Sequence, residues 1–408
     1  MKLLHVISSM NPRRGGPCQG VRNLAPRVSG LGNTVEVVCL DDPQSEYLEG
    51  EMVSIHPLGQ AIGRWCYQPA LRPWLEANLH RFDAVILNGL WHYFGFTMSR
   101  LANRPGTPPY FVFPHGMLDP WFQRARDRRL KAIRNWFYWK IIEHKVISNA
   151  EAIFFTCAEE MRLAQGTFSP YQPKNQINVG YGISPPPQFT GGMMEVFRKK
   201  CPEVTDRPYL LFLGRVDSKK GVDLLIQAYA LVYGANAKLK RKAPCLVIAG
   251  PGLDTEYGQS MQALAASSCP PNSVFFPGML SGDAKWGALY DSEAFVLPSH
   301  QENFGIAVAE ALACGKPVLI SDQINIWKEI KEDKAGLIEK DTLEGTRLLL
   351  RGWEKLSPKE KITMSRDARS SFENRFGVAF SAQNLVATIT ELTARSKEER
   401  SLAHGVPG

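Results

Sequence analysis

The sequence predicts an α/β protein of two successive domains, each built on a parallel β-sheet. Three observations predict it. The chain has 408 residues, and domains commonly run to about 100–200 residues each. Short apolar runs alternate along it with amphipathic stretches, the pattern of strand–helix–strand units with right-handed crossovers. That alternation stops at Gly182-Ile183-Ser184-Pro185-Pro186-Pro187 and then restarts. A triple proline continues neither strand nor helix, so this stretch reads as a linker.

In the first half, residues 3–8, 34–40, 84–88, 110–114 and 152–156 read as strands. They are β-branched and aromatic and lack period-two polarity, as expected of a sheet covered on both faces. The opening run is too short for a signal peptide, and Asn11-Pro12-Arg13-Arg14 stands where a cleavage site should lie, so it reads as a buried first strand. Helices are expected near residues 19–30, 69–80 and 120–147. The third has a defined start, with Asp119 as cap and Pro120 at the first helical position. In the second half, strands fall at 209–213, 245–249, 274–277, 294–297 and 317–320. Helices fall near 221–232, 257–266, 304–314 and 342–355. The domains predicted are residues 1–187 and 205–374, joined so as to leave a cleft suited to a small molecule. Ligands of open α/β sheets sit beyond the carboxyl ends of strands, so the chemistry belongs in the loops there.

The most informative loop is Pro298-Ser299-His300-Gln301-Glu302-Asn303-Phe304-Gly305, which runs into a helix carrying Glu310. A helix start near Phe304 offers backbone N–H groups and a favourable dipole to a phosphate. Glu310 would lie two turns further, roughly 9–10 Å along the axis. Two carboxylates so spaced suit opposite ends of one extended ligand, and a carboxylate can hold both hydroxyls of a ribose diol. A second loop, Gly214-Arg215-Val216-Asp217-Ser218-Lys219-Lys220-Gly221, follows a strand and opens a helix. Arg215 and Lys220 can converge there on one anion, neutralising charge as it develops on a departing diphosphate. Taken alone, glutamates eight apart are usually a solvated helix edge, and an arginine and lysine at a helix start are usually surface charge.

These two stretches resemble glycosyltransferase family 4, the large retaining group with the GT-B fold. The family shows glycine-arginine, four residues and lysine-glycine after the first strand of its second domain. Further on it shows proline-serine, a glutamate before phenylalanine-glycine, a second glutamate eight positions after the first, and a closing cysteine-glycine. Other likenesses are Gly15-Gly16 after the first strand, His115-Gly116 after a later one, Ile248-Ala249-Gly250-Pro251-Gly252, and Phe276-Pro277-Gly278. Asn33 stands where the family usually has histidine. Gln323-Ile324-Asn325-Ile326 replaces its usual glycine pair, although Glu329 matches its acidic position.

The resemblance implies two Rossmann-like domains with parallel sheets facing a central cleft. The first, 1–187, would bind acceptor and take back a C-terminal helix at about 375–395; the second, 205–374, would bind a nucleotide sugar. It implies that Glu310 binds the donor ribose, that Glu302 with Asn303 faces the donor sugar, and that backbone N–H groups at Phe304 and Gly305 contact sugar or phosphate. Arg215 and Lys220 would hold the diphosphate, and His115 would contact the transferred sugar. Gly15, Gly16 and Gly250 would let backbone approach the donor. The sugar would be transferred with retention, by front-face displacement needing no protein nucleophile. No Asp-x-Asp triplet occurs, so no essential metal or other cofactor is expected. His92, after a strand, reads either as an acceptor-side residue or as packing beside Trp91; Asp119 reads as a helix cap or an acceptor contact.

Eight scattered cysteines without a C-x-x-C pair argue against a zinc site or disulfide framework and fit a reducing cytoplasm. The net charge of +8 favours anionic partners without choosing among them. Much of it lies in residues 121–145, where Arg124, Arg126, Arg128, Arg129, Lys131, Arg134, Lys140 and Lys145 interleave with Trp121, Phe122, Trp136, Phe137, Tyr138 and Trp139. This segment reads as an amphipathic helix packing its aromatics on the sheet, or as a face resting on the inner, anionic side of a membrane near a lipid-linked saccharide acceptor. The function expected is sugar transfer to a hydroxyl in cell-surface polysaccharide or glycolipid assembly. A nucleotide-sugar epimerase of the same architecture is an alternative. A basic nucleic-acid-binding module is another, although no recognised nucleic-acid motif occurs.

Overall fold

The structure, a computed structural model, describes residues 1–124, 129–234 and 243–404. Arg126 and Arg128 of the basic segment lie outside the described residues. The chain divides into two compact units, Met1–Ser184 with Val378–Gly408, and Pro185–Gly377.

The first unit holds a seven-stranded sheet: β1 (Lys2–Ile7), β2 (Thr34–Cys39), β3 (Ser54–Pro57), β4 (Ala84–Asn88), β5 (Tyr110–Phe113), β6 (Ala152–Phe155) and β7 (Gln176–Asn178). The spatial order is β3-β2-β1-β4-β5-β6-β7, and every pair is parallel. The missing period-two polarity has a direct cause. Leu4 and Val6 of β1, Val85 and Leu87 of β4, and Tyr110 and Val112 of β5 enter one core. Their neighbours Leu3, Ile7, Ala84, Ile86, Phe111 and Phe113 enter a second core on the other face. The alternation is therefore between two apolar environments, and burying each large side chain stabilises by roughly 1.5–3 kcal/mol. The helix Gly16–Gly30 covers the second face. So does the last helix, Val378–His404, through Val378, Ala382, Leu385, Ile389 and Leu392.

The second unit holds a six-stranded sheet: β8 (Tyr209–Leu213), β9 (Cys245–Ala249), β10 (Val274–Gly278), β11 (Ala294–Leu297), β12 (Val318–Ser321) and β13 (Gly336–Glu339). Its order is β10-β9-β8-β11-β12-β13, again all parallel. In each sheet the strand order reverses once, between β1 and β4 and between β8 and β11. Loops leaving the carboxyl ends on either side of such a reversal diverge and leave a crevice, where ligands of open α/β sheets bind.

The helix expected over 120–147 is not a uniform α-helix among the described residues. It runs as Trp121–Arg124, Arg129–Tyr138, a wider π-turn at Trp139–Glu143, and His144–Asn149. The π-turn carries two inward anchors. The Trp139 ring stacks on Phe168 at 4.6 Å while its indole N–H donates to Pro170 O at 2.8 Å. Glu143 Oε1 accepts the Trp91 backbone N–H at 3.1 Å.

Candidate active site

The reversal between β8 and β11 brings the two sequence motifs of the second unit together. After β8, the short turn Ser218–Lys220 is capped by Asp217, whose carboxylate accepts the Lys219 N–H at 2.9 Å. Gly221 follows with φ +66°, and a Cβ there would lie 2.2 Å from Pro298 O, so only glycine lets the loops approach so closely. Lys219 O accepts the His300 N–H at 2.8 Å and the Ser299 hydroxyl at 3.0 Å. With the loops stitched in this way, the Lys220 ammonium donates to Glu302 Oε1, which also accepts from Ser299 Oγ at 3.2 Å. Both side chains of the Lys220–Glu302 pair are only 16% exposed. The Glu302 backbone is clamped too: its N–H donates to Gln323 O at 3.0 Å and its carbonyl accepts the Asn325 N–H at 3.1 Å. Ile324, within the run that departs from the family pattern, thus forms a parallel bridge with Glu302.

The helix after this loop begins at Ile306, two residues past Phe304, and runs to Ala313 with Gly305 at its cap. The reason is local: Gly305 is left-handed at φ +81°, and the Phe304 ring is buried, packing edge-on against Phe376 at 5.9 Å. Glu310 consequently lies about 6 Å past the first helical residue at 1.5 Å per residue, nearer the N-terminus than the expected two turns. Its carboxylate accepts from the Lys285 ammonium at 2.6 Å. Lys285 comes from the helix Gly282–Asp291 and also lies 4.5 Å above the Trp286 ring. Arg215 is exposed. Lys220 is engaged by Glu302. Gly250 has a packing reason to be glycine, since a Cβ there would sit 1.8 Å from Gly214 O. That close approach is held by Gly214 N–H to Ala249 O at 3.0 Å and Val216 N–H to Pro251 O at 2.9 Å.

In the first unit, the reversal between β1 and β4 gathers a polar chain. Asn88 Nδ2 lies 3.4 Å from Val6 O and 3.3 Å from Ile86 O, and 3.2 Å from His5 Nδ1. Ringed by acceptors, this end is the amide NH2, so Oδ1 faces His115 Nε2 at 3.3 Å. His115 Nε2 therefore carries the proton and Nδ1 presents a lone pair. Burial, with His5 nearby, pushes the His115 pKa down to about 3, and burial holds His5 at about 4; both rings are neutral near pH 7. The next loop is anchored by Glu160, which accepts the Gly116 N–H at 2.6 Å and the Thr156 N–H at 2.8 Å. His92 stands at the N-cap position of the helix Tyr93–Leu101 without a side-chain capping bond, and its ring packs on Phe94 at 5.0 Å. Burial and then the Arg14 charge push its pKa down to about 4. Gly15 caps the helix that starts at Gly16. A Cβ on Gly16 would meet only the Tyr181 hydroxyl, at an ordinary 3.7 Å, so packing does not require glycine there. Asp119 accepts the Trp121 N–H at 2.8 Å, a capping bond. Asn303 is half-buried beside Glu302.

The structure thus joins Lys220 to Glu302 and adds Lys285 to Glu310, a residue that sequence reasoning missed. It likewise missed His5 and Asn88. Lys285 stands in no motif, and a histidine within an apolar strand gives no sign of its partner across the sheet.

Two parallel-sheet units, with a carboxylate–lysine site at the strand reversal of the second, define a GT-B protein. Residues 15–177 match the family described as glycosyl transferase 4-like domain, and residues 193–355 match glycosyl transferases group 1. The chain belongs to glycosyltransferase family 4. It is similar to D-inositol 3-phosphate glycosyltransferase of Geodermatophilus obscurus, 24% identical over 269 residues. That alignment covers 65% of this chain and 58% of the relative, so less than two thirds of the relative's length is matched. Among solved structures it is similar to Anabaena HepE in complex with UDP-glucose, with TM-score 0.68 and 15% identity over 96% of this chain and all of that one. It is also similar to WaaG, a glycosyltransferase involved in lipopolysaccharide biosynthesis, with TM-score 0.60 and 16% identity over 93% and 98% of the two chains. At these identities the structural likenesses establish the fold.

Proposed function

We propose that the protein is a retaining glycosyltransferase that moves a hexose from a nucleotide-diphosphate sugar to a hydroxyl acceptor. The observation that carries this reading is the double pairing at the strand reversal, Lys220 with Glu302 and Lys285 with Glu310. Each pair holds a carboxylate and an ammonium in place before ligand arrives. A diphosphate competes for Lys220, with Arg215 as the second cation, and so frees Glu302 to accept from hydroxyls of the sugar. Glu310, oriented by Lys285, accepts the ribose diol. Charge growing on the leaving diphosphate meets cations and the N–H groups of a helix start, which are worth most in a partly dry site. His115, neutral with its lone pair on Nδ1, accepts a hydrogen bond from a hydroxyl rather than donating to phosphate. The leaving phosphate takes the acceptor proton during front-face attack, so no protein nucleophile is assigned and no metal is required.

The UDP-glucose named for HepE supports a nucleotide-sugar donor, and the lipopolysaccharide role named for WaaG supports an acceptor in cell-surface polysaccharide or glycolipid assembly. The site lies within a cytoplasmic protein on this reading. The test is a donor screen by thermal stabilisation, with and without EDTA. One or two nucleotide sugars should stabilise the protein equally under both conditions, and Glu310→Ala or Lys220→Ala should remove most of the effect. The product anomer, read by NMR, tests retention. Stabilisation by no nucleotide sugar, or only with a divalent cation, would sink the respective claim.

A further inference from the structure

The helix Arg129–Tyr138 and its π-turn carry a face that the sugar chemistry does not use. Trp139 alone of the neighbouring aromatics here is fully buried, while Ile133 is 56% exposed, Trp136 50%, Phe137 55% and Ile141 66%. At about 100° per residue, positions 133, 136, 137 and 140 fall on one side of a helix, and the π-turn sets Ile141 beside them. The Trp136 and Phe137 rings meet edge to face at 5.0 Å, and the Lys140 ammonium lies 5.7 Å over the Trp136 ring. Arg134, Lys140 and Lys145 are exposed beside this stripe. Between residues 129 and 150 the sequence has a single acid, Glu143, and it is buried. The face is thus apolar and aromatic at its centre and cationic at its edge, and residues 129–150 add no exposed carboxylate to it.

We propose that this face docks the protein on an anionic lipid bilayer. Ile133, Trp136, Phe137 and Ile141 enter the boundary between headgroups and acyl chains, and Arg134, Lys140 and Lys145 pair with lipid phosphates. The charge complementarity selects an anionic surface, and the aliphatic content selects a bilayer. A nucleic acid would need ring faces on which bases stack, and Ile133 and Ile141 provide none. Tryptophan and lysine are suited to this depth, since an apolar body can sink while the polar end stays wet. Among the described residues no helix is long and apolar enough to cross a membrane, so the contact is peripheral. The inference does not depend on the transferase reading, because binding is measured without donor or acceptor.

The test is flotation of the full chain with vesicles of phosphatidylcholine and with vesicles of phosphatidylcholine and phosphatidylglycerol in equal parts. Binding to the anionic vesicles should exceed that to the neutral ones by about tenfold or more and weaken with added salt. The double variant Trp136→Ser/Phe137→Ser should bind about tenfold or more weakly. Arg134→Ser/Lys140→Ser should lose about fivefold for each cation removed. An unchanged thermal midpoint shows that the variants are folded. Should they fail to fold, brominated lipid in the anionic vesicles should still quench part of the wild-type tryptophan fluorescence. Equal binding to both vesicle types, undiminished binding by the folded aromatic variant, or no quenching overturns the proposal.

Discussion

At the scale of single residues, Lys220 and Lys285 should be separable by ligand. Lys285 touches Glu310 and Lys220 touches Glu302, so each carboxylate has its own cation. If Glu310 holds the ribose, Lys285→Met should weaken a plain nucleoside and its diphosphate by the same factor. A charge-assisted hydrogen bond is worth about 1.5–3 kcal/mol, and losing the orienting partner should cost about tenfold in affinity. Lys220→Met should leave the nucleoside almost untouched and weaken the diphosphate by about tenfold or more. Isothermal calorimetry with the two ligands gives both numbers. An equal loss for nucleoside and diphosphate in Lys220→Met would remove the diphosphate role from that residue. The glutamate spacing and the Lys220 loop were legible in the sequence because they form a dense string after two strands. Lys285 was not, because a lone lysine in the helix Gly282–Asp291, which carries two glycines, gives no signal. The chain from His5 through Asn88 to His115 was legible only at His115, since its partners stand on two separate strands, β1 and β4, that pair in the sheet.

At the scale of elements, the π-turn at Trp139–Glu143 sets a pH dependence for the first unit. Burial raises the Glu143 carboxyl to about 8, opposed by the Trp91 N–H it accepts. In the unfolded chain the same group titrates at about 4.3. Between those values the folded protein holds a proton that the unfolded one has lost. Stability contributed by this group is therefore complete at acid pH and falls as pH rises toward and through 8, by a total on the order of a few kcal/mol. Glu143→Gln keeps an oxygen for the Trp91 N–H and cannot ionise. Urea unfolding at about pH 6 and about pH 9 should show a smaller loss in the variant, which should be the more stable protein at the higher pH. A parallel loss in both proteins would mean that Glu143 is ionised throughout. The turn itself escaped the sequence reading because a continuous amphipathic pattern cannot show where a helix widens to admit a tryptophan. The long strands were readable because both of their faces are apolar. Strands β3, β7 and β13, of three or four partly exposed residues, give too short a run to separate from loop. The helix Ile306–Ala313 starts two residues past Phe304 because Phe304 belongs to the core and Gly305 turns left-handed before the first regular turn.

At the scale of the whole molecule, chain order and unit membership differ, and that has a consequence for folding. The second unit is a continuous stretch, Pro185–Gly377, whereas the first is closed by the last helix, Val378–His404. That helix places Val378, Leu385, Ile389 and Leu392 in the core beside Leu3, Ile7 and Phe111, and its first N–H donates to Ile183 O at 2.9 Å. Four large apolar side chains returned to water cost roughly 6–12 kcal/mol, comparable to the whole net stability of a domain at about 5–15 kcal/mol. A chain ending at Gly377 should therefore lose the first unit and keep the second. Hydrogen exchange read by mass spectrometry should show β1, β4 and β5 exchanging like an unfolded chain. The loops at Lys220 and Glu302 should stay as protected as in the full protein, because every bond that stitches them comes from within Pro185–Gly377. The same truncated chain should bind nucleoside diphosphate, since Lys220, Lys285, Glu302 and Glu310 all remain. Native protection persisting in β1 after truncation would show that the first half folds without its last helix.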